Sequence, residues 1–154
     1  NRRGLNSELR TREAATPDGK KLCVVVMDLD NFKAINDAHG HGAGDEVLQG
    51  FSESVRACIR SNDLFARIGG EEFVLVLPDT SAETARHLAE RILAEVQALQ
   101  FNSQEQPLQV TVSAGVGAST EPQGFLALMR TADKALYEAK RLGRNQVQVH
   151  WLQA

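Results

Sequence analysis

The chain has 154 residues, 42% of them hydrophobic and 24% charged, with a formal net charge of −3. That is the size of one ordinary domain, able to bury its own core without metal or disulfide staples. The negative balance excludes a polyanion binder that works by bulk charge, so any phosphate must be recognised locally.

The first periodic signal is a weak helical pattern over 4–15, ahead of the turn "TPDGK". "KLCVVVMDL" (21–29) is a near-continuous apolar run of the buried-strand type, and a helix pair follows. The second helix of that pair is expected over 43–60, where Val47, Leu48, Phe51, Val55, Cys58 and Ile59 share one face. Between strand and helix, "AHGHGAGD" brings His39 and His41 into alternation. In an extended segment their side chains point apart, so packing or hydrogen bonding suits them better than metal. "LFARI" (64–68) and "EFVLVL" (72–77) flank Gly69–Gly70 as a hairpin, with the glycines expected to supply the positive φ of a tight turn. A helix follows over 81–99, with Leu88, Ala89, Ile92, Leu93, Val96 and Leu99 on one face. "LQVTVSAGVGA" (108–118) is the next strand. A helix over 124–142 then carries Phe125, Leu128, Ala132, Ala135, Leu136 and Ala139 on one side and stops at Gly143. "NQVQVHW" (145–151) closes the series as a strand.

This order predicts an α/β fold, a mostly antiparallel central sheet with helices packed over it, in a single domain spanning 1–154. There is no internal repeat. No run of about 18 apolar residues and no basic-then-apolar leader occurs, so the expectation is a cytoplasmic domain without membrane contact. Cys23 and Cys58 have no metal-ligand spacing and read as buried small hydrophobes, which fits a reducing compartment.

The chemistry concentrates at two places. Asp28 ends a buried strand beside a loop, with Asp30 following after one intervening residue, where carboxylates can hold a hard cation such as Mg²⁺ together with substrate phosphates. If the hairpin neighbours that strand, Glu71 reaches the same ion, and two or three acidic oxygens around a metal is the arrangement used for nucleotidyl transfer. Singly, a Gly-Gly turn with glutamates and a strand ending in "DLD" are ordinary solvated features. Asn31, Asn36, Asp37 and Asp45 lie close by in sequence.

"DLDNFKAINDAHGHGAGDEVL", "RSNDLFARIGGEEF", "VTVSAGVGA" and "ADKALYEAKRLGRNQV" resemble, in order and spacing, the GGDEF domain of bacterial diguanylate cyclases, here in a GGEEF variant. The resemblance runs from Asn1 to about Val147. It implies a fold similar to class III nucleotide cyclases and polymerase palm domains. It also implies condensation of two GTP into cyclic di-GMP with release of pyrophosphate, across a homodimer that uses Mg²⁺ or Mn²⁺. By position it makes Asp28, Glu71 and the Leu29 carbonyl metal ligands, and sets Glu72 beside the reacting 3′-hydroxyl or the metals. The backbone from Asn31 through Phe32 to Lys33 would hold phosphate oxygens, with Gly69 and Gly70 at the nucleotide. Asn36 and Asp45 would read guanine, whose N1–H and N2–H₂ donors suit a carboxylate and an amide. Lys140 and Arg144 would clamp the triphosphate. Arg60 and Asp63 match an RxxD inhibitory site for cyclic di-GMP, with Arg91 as a possible second arm.

Two features depart from the family pattern. His39 stands where an aromatic residue is usual, and the "D-x-L-T-G-L" segment that normally precedes "NRR" is absent, which suggests a domain cut from a protein with an upstream sensor. Three rival functions belong beside the cyclase. These are a cyclic di-GMP receptor without catalysis, an enzyme making a mixed cyclic dinucleotide, which Asp45 opposes, and a generic metal-dependent nucleotidyl transferase. Nucleic acid is not an expected partner.

Overall fold

The computed structural model describes residues 21–101 and 108–152, so the helix expected over 4–15 lies outside the described residues. Within them the order is β1 (Leu22–Leu29), α1 (Phe32–His39), α2 (His41–Cys58), β2 (Leu64–Arg67), β3 (Glu72–Pro78), α3 (Ala82–Gln97), β4 (Val112–Ser119), α4 (Phe125–Arg141) and β5 (Val147–Leu152). The five strands form one sheet in the order β2-β3-β1-β4-β5. Every neighbouring pair is antiparallel except β4 and β5. The exception follows from α4, which carries the chain back over the sheet so that β5 enters in the direction of β4.

Strand β1 sits at the centre, and its unbroken apolar run reflects burial on both faces. Val24 and Val26 join Val74 and Val76 in a core beneath Phe125, Leu128, Met129, Ala132 and Leu136 of α4. Cys23, Val25, Met27 and Leu29 face the other way, onto Phe32, Ile35, Val47, Phe51 and Val55 of α1 and α2 and onto Ala85, Ala89 and Ile92 of α3. Alternation therefore assigns a side to each strand residue. Asp28, in phase with Val24 and Val26, falls on the α4 face.

Two glycines set how closely α4 lies on that face. A Cβ on Gly115 would stand 2.2 Å from the Leu136 nitrogen, and one on Gly117 would stand 2.3 Å from the Leu128 carbonyl oxygen. The helix backbone occupies space that any side chain there would need. The motif "SAGVGA" is thus the bed on which α4 rests.

Three expectations change. Neither Gly69 nor Gly70 has a positive φ. The connection from Ile68 to Glu71 is longer than a two-residue turn, and Ile68 N–H and Gly69 N–H both donate to the Glu72 carbonyl (2.9 and 3.3 Å). The Arg67 guanidinium closes it further by donating to the Gly69 and Gly70 carbonyls at 3.0 and 2.6 Å. The fourth strand begins at Val112 rather than 108, at the position paired with Leu29. Cys58 is only half-buried, at the last turn of α2, whereas Cys23 is buried and donates to the Thr80 carbonyl.

Candidate active site

Asp28, Glu72 and the backbone of Glu71 meet at one end of the central strands. Asp28 on β1 is paired directly with Glu72 on β3, and on its other side with Ser113 on β4. Directly opposed residues of an antiparallel pair share a face, so Asp28 and Glu72 project together toward α4. One step further, the Leu29 N–H donates to the Glu71 carbonyl at 3.1 Å, tying the hairpin loop to the end of β1. Asp28 is 6% exposed, and the ammonium of Lys140, from the last turn of α4, is hydrogen-bonded to its Oδ2. Burial raises the Asp28 pKa above the ordinary carboxylate value, against the lowering effect of Lys140 and with the charges of Glu72 and Asp30 adding to the rise.

This donor set suits a hard cation. Asp28, Glu71 and Glu72 offer only oxygen, and a cationic group already sits against Asp28. Among the described residues, no group of three or more His, Cys, Asp or Glu could hold a metal ion by itself. A divalent ion would take two carboxylates here and complete its shell with carbonyl, water or phosphate oxygens. His39 and His41 are not in an extended segment. His39 ends α1 and His41 opens α2, with Gly40 at φ 87° between them.

The predicted nucleotide residues surround α1. Asn31 is its N-cap, at φ 56° and with no side-chain capping bond, and Lys33 is exposed in the first turn. The Phe32 side chain is buried in the core, so only its backbone faces the site. Gly44 in α2 lies against the Asn36 side chain: a Cβ there would fall 1.9 Å from Asn36 Oδ1. That close approach places the Asn36 amide beside the turn that carries Asp45, which is exposed. Gly70 has open space where its Cβ would be. Arg144 is exposed after α4, at φ 66°.

A second cluster lies at the opposite end of β3. The Arg60 guanidinium grips Asp63 through Nε to Oδ2 (3.3 Å) and Nη2 to Oδ1 (2.9 Å), and the Arg60 N–H donates to the same Oδ2 at 2.8 Å. Nη2 also reaches the Pro78 carbonyl (3.0 Å) and the Thr80 hydroxyl (2.8 Å). Asp63 is buried while Arg60 is exposed, beside a pocket lined by Cys58, Leu77, Thr80, Thr84 and Leu88. Arg91 is exposed on α3, near enough for its charge to act on the Cys58 thiol.

The family profile "Diguanylate cyclase, GGDEF domain" matches residues 1–146. The chain belongs to the GGDEF family. This GGDEF domain is 43% identical over 150 residues to diguanylate cyclase DgcP of Pseudomonas aeruginosa, across 97% of this chain and 22% of that protein. It therefore spans about a fifth of that relative's length. Among solved structures it is similar to the GGDEF domain of DgcB from Caulobacter crescentus in complex with c-di-GMP, with TM-score 0.87 and 33% identity over 96% of this chain and 89% of that one. It is also similar to the active GGEEF domain of a diguanylate cyclase from Vibrio cholerae, with TM-score 0.78 and 38% identity over 92% of this chain and 87% of that one.

In this GGDEF domain Asp30 does not reach outward as a cation-holding acid. Both its oxygens are taken by Thr111 just before β4, Ser113 in β4 and the Asn145 amide in the turn after α4. Sequence reasoning also missed Gly44, Gly115 and Gly117, which act by what they lack, and Thr80, which orients Arg60. The only sequence signal for the glycines was their spacing within helix and strand patterns, where a glycine often marks close approach. Among the described residues no helix is long and apolar enough to cross a membrane.

Proposed function

We propose that the domain is a diguanylate cyclase, condensing two GTP into cyclic di-GMP in the cytoplasm as one half of a homodimer. In each of two transfers a 3′-hydroxyl loses its proton and its oxygen bonds to the α-phosphorus of the other nucleotide, while that phosphorus releases pyrophosphate. A bound Mg²⁺ or Mn²⁺ would supply charge neutralisation at the phosphates and polarise the α-phosphoryl group under attack. Asp28, Glu71 and the Leu29 carbonyl would hold it, with Glu72 beside the hydroxyl. The α1 N-terminus, from Asn31 through Phe32 to Lys33, orients phosphate oxygens through N–H groups that no side chain caps. Asn36 and Asp45 accept and donate along the guanine edge, and adenine would set an acceptor against the Asp45 carboxylate. The exposed Arg144, and Lys140 once released from Asp28, bind the triphosphate.

The observation that carries this reading is the register that opposes Asp28 to Glu72 while Leu29 closes on Glu71. The preorganised Arg60–Asp63 grip favours a second role, binding of cyclic di-GMP with Arg91 as a second arm, which would restrain the enzyme or, without turnover, make the domain a receptor. Incubation with GTP and Mg²⁺, in a dimeric context, should yield cyclic di-GMP by mass, and Glu71→Gln should abolish it. Absence of product from the wild-type dimer would leave only the receptor.

A further inference from the structure

Asp30 carries a carboxylate that the cyclase reading leaves without a task. It is 5% exposed, yet no cationic side chain is hydrogen-bonded to it among the described residues. Its Oδ1 accepts the Ser113 hydroxyl at 2.7 Å. Its Oδ2 accepts the Thr111 hydroxyl at 2.8 Å and the Asn145 backbone N–H at 3.1 Å. A buried carboxylate kept by neutral donors, one of them a backbone amide 115 residues along the chain, is a fixed anchor rather than a reagent.

What it anchors is a strained turn. Gly143, Arg144 and Asn145 have φ of 118°, 66° and 49° in succession. Glycine adopts that region freely, but two consecutive residues with side chains stay there only where the surroundings hold them. The holding points are adjacent. The Arg144 N–H donates to the Ala139 carbonyl at 2.9 Å, and the Asn145 N–H donates to Asp30 and, at 3.2 Å, to the Ser113 hydroxyl. The Arg144 side chain leaves the backbone between these two fastened amides. Asp30 lies two residues from Asp28, so the same strand end that offers the proposed metal ligand also fastens the base of the arginine.

We infer that Asp30 is a positioning residue that acts through Arg144, fixing the left-handed turn after α4 so that the guanidinium is aimed at the triphosphate. The inference deepens the cyclase reading and rests on it for what Arg144 meets; the anchoring itself does not. A carboxylate suits the task because it accepts from three donors at once, whereas an amide must present its NH₂ to one of them. The Ser113 hydroxyl can turn to accept that NH₂, so Asn is a graded replacement and Ala a complete loss.

The test compares Asp30→Ala and Asp30→Asn in the wild-type and Arg144→Ala backgrounds. Asp30→Ala should raise KM for GTP, and Kd for a non-hydrolysable GTP analogue, about tenfold while kcat stays within about threefold, the loss expected when one charged phosphate contact is misaimed. Asp30→Asn should lie between. In the Arg144→Ala background the further rise should fall below about twofold, because the effect passes through a side chain already removed. Equal rises in both backgrounds, or an unchanged KM, would overturn the inference. Hydrogen exchange at the Asn145 amide reads the anchor without nucleotide and should quicken in Asp30→Ala. If that variant does not fold, Asp30→Asn carries both measurements. Wild-type protein that binds no GTP analogue would defeat the cyclase reading and the aim assigned to Arg144, while unchanged exchange at Asn145 would defeat the anchor.

Discussion

Two ion pairs stand at opposite ends of β3 and are built in opposite ways. Lys140 and Asp28 come from positions 112 residues apart and meet through a single ammonium. The buried carboxylate keeps a raised pKa despite that partner, so it remains short of stabilising charge. Arg60 and Asp63 are three residues apart and share both oxygens of the acid, with the Arg60 N–H, the Pro78 carbonyl and the Thr80 hydroxyl completing the corner. Hydrogen bonding to Asp63 raises the Arg60 pKa further, so its charge is permanent. A lysine is a point charge on a flexible stem and an arginine is a planar fork. Under the proposed function the first pair exchanges one cation for another when metal binds, whereas the second is held from several sides.

Removing the acid of the exchangeable pair tests that contrast most severely. Asp28→Asn should lower turnover more than about 100-fold by taking away a metal oxygen, while cyclic di-GMP binding at Arg60 persists. The same variant, with metal chelated, should be more stable than wild type at neutral pH, by a few degrees in Tm. The folded-state pKa of Asp28 is raised above 3.8, so the folded protein binds that proton more tightly than the unfolded chain does. Its favourable contribution is complete below the unfolded value and is lost as pH rises through the folded one. At pH 7 wild type thus carries an ionised buried acid that asparagine lacks, and the gap in Tm should close below about pH 4. A less stable Asp28→Asn at pH 7 would show that Lys140 compensates the burial fully.

Breaking the locked pair should have a narrower consequence. Arg60→Ala should weaken inhibition by added cyclic di-GMP about tenfold and leave kcat unchanged. Undiminished product inhibition would refute the second site. The mildest change sharpens the contrast through packing. Gly115→Ala should cost about 1–3 kcal/mol by pushing α4 off the sheet, lowering Tm by several degrees. It should also reduce turnover, since Lys140 rides on α4, without altering product binding at Arg60. Thermal unfolding and a binding titration would check both, and a wild-type Tm would show that the helix yields at no cost.

The helices over 41–58, 82–97 and 125–141 were legible because each buries one face, and residues such as Val47, Phe51 and Val55 recur at the period that a buried face requires. Both sets of metal-capable acids and the RxxD pair were legible as residue types at motif spacing. The loop at Gly69 and Gly70 was misread because Arg67, a side chain outside the pair, closes it and removes the need for positive φ. Asp30 was misread for a related reason. Local sequence shows a carboxylate at a strand end, but not the Thr111, Ser113 and Asn145 donors that arrive from more than 80 residues away.

By itself, then, the sequence determined what depends on neighbours along the chain. That includes the periodic faces, the buried run of β1, the stop at Gly143 and the i,i+3 relation of Arg60 to Asp63. Tertiary structure alone decided what depends on register and approach. It set Asp28 opposite Glu72, and the missing side chains of Gly115 and Gly117 brought α4 close enough for Lys140 to reach Asp28. It also turned Asp30 inward to fasten Asn145. The physical reason is that alternation and helical period are one-dimensional, whereas the partner of a buried charge is selected by the packing of whole elements against one another.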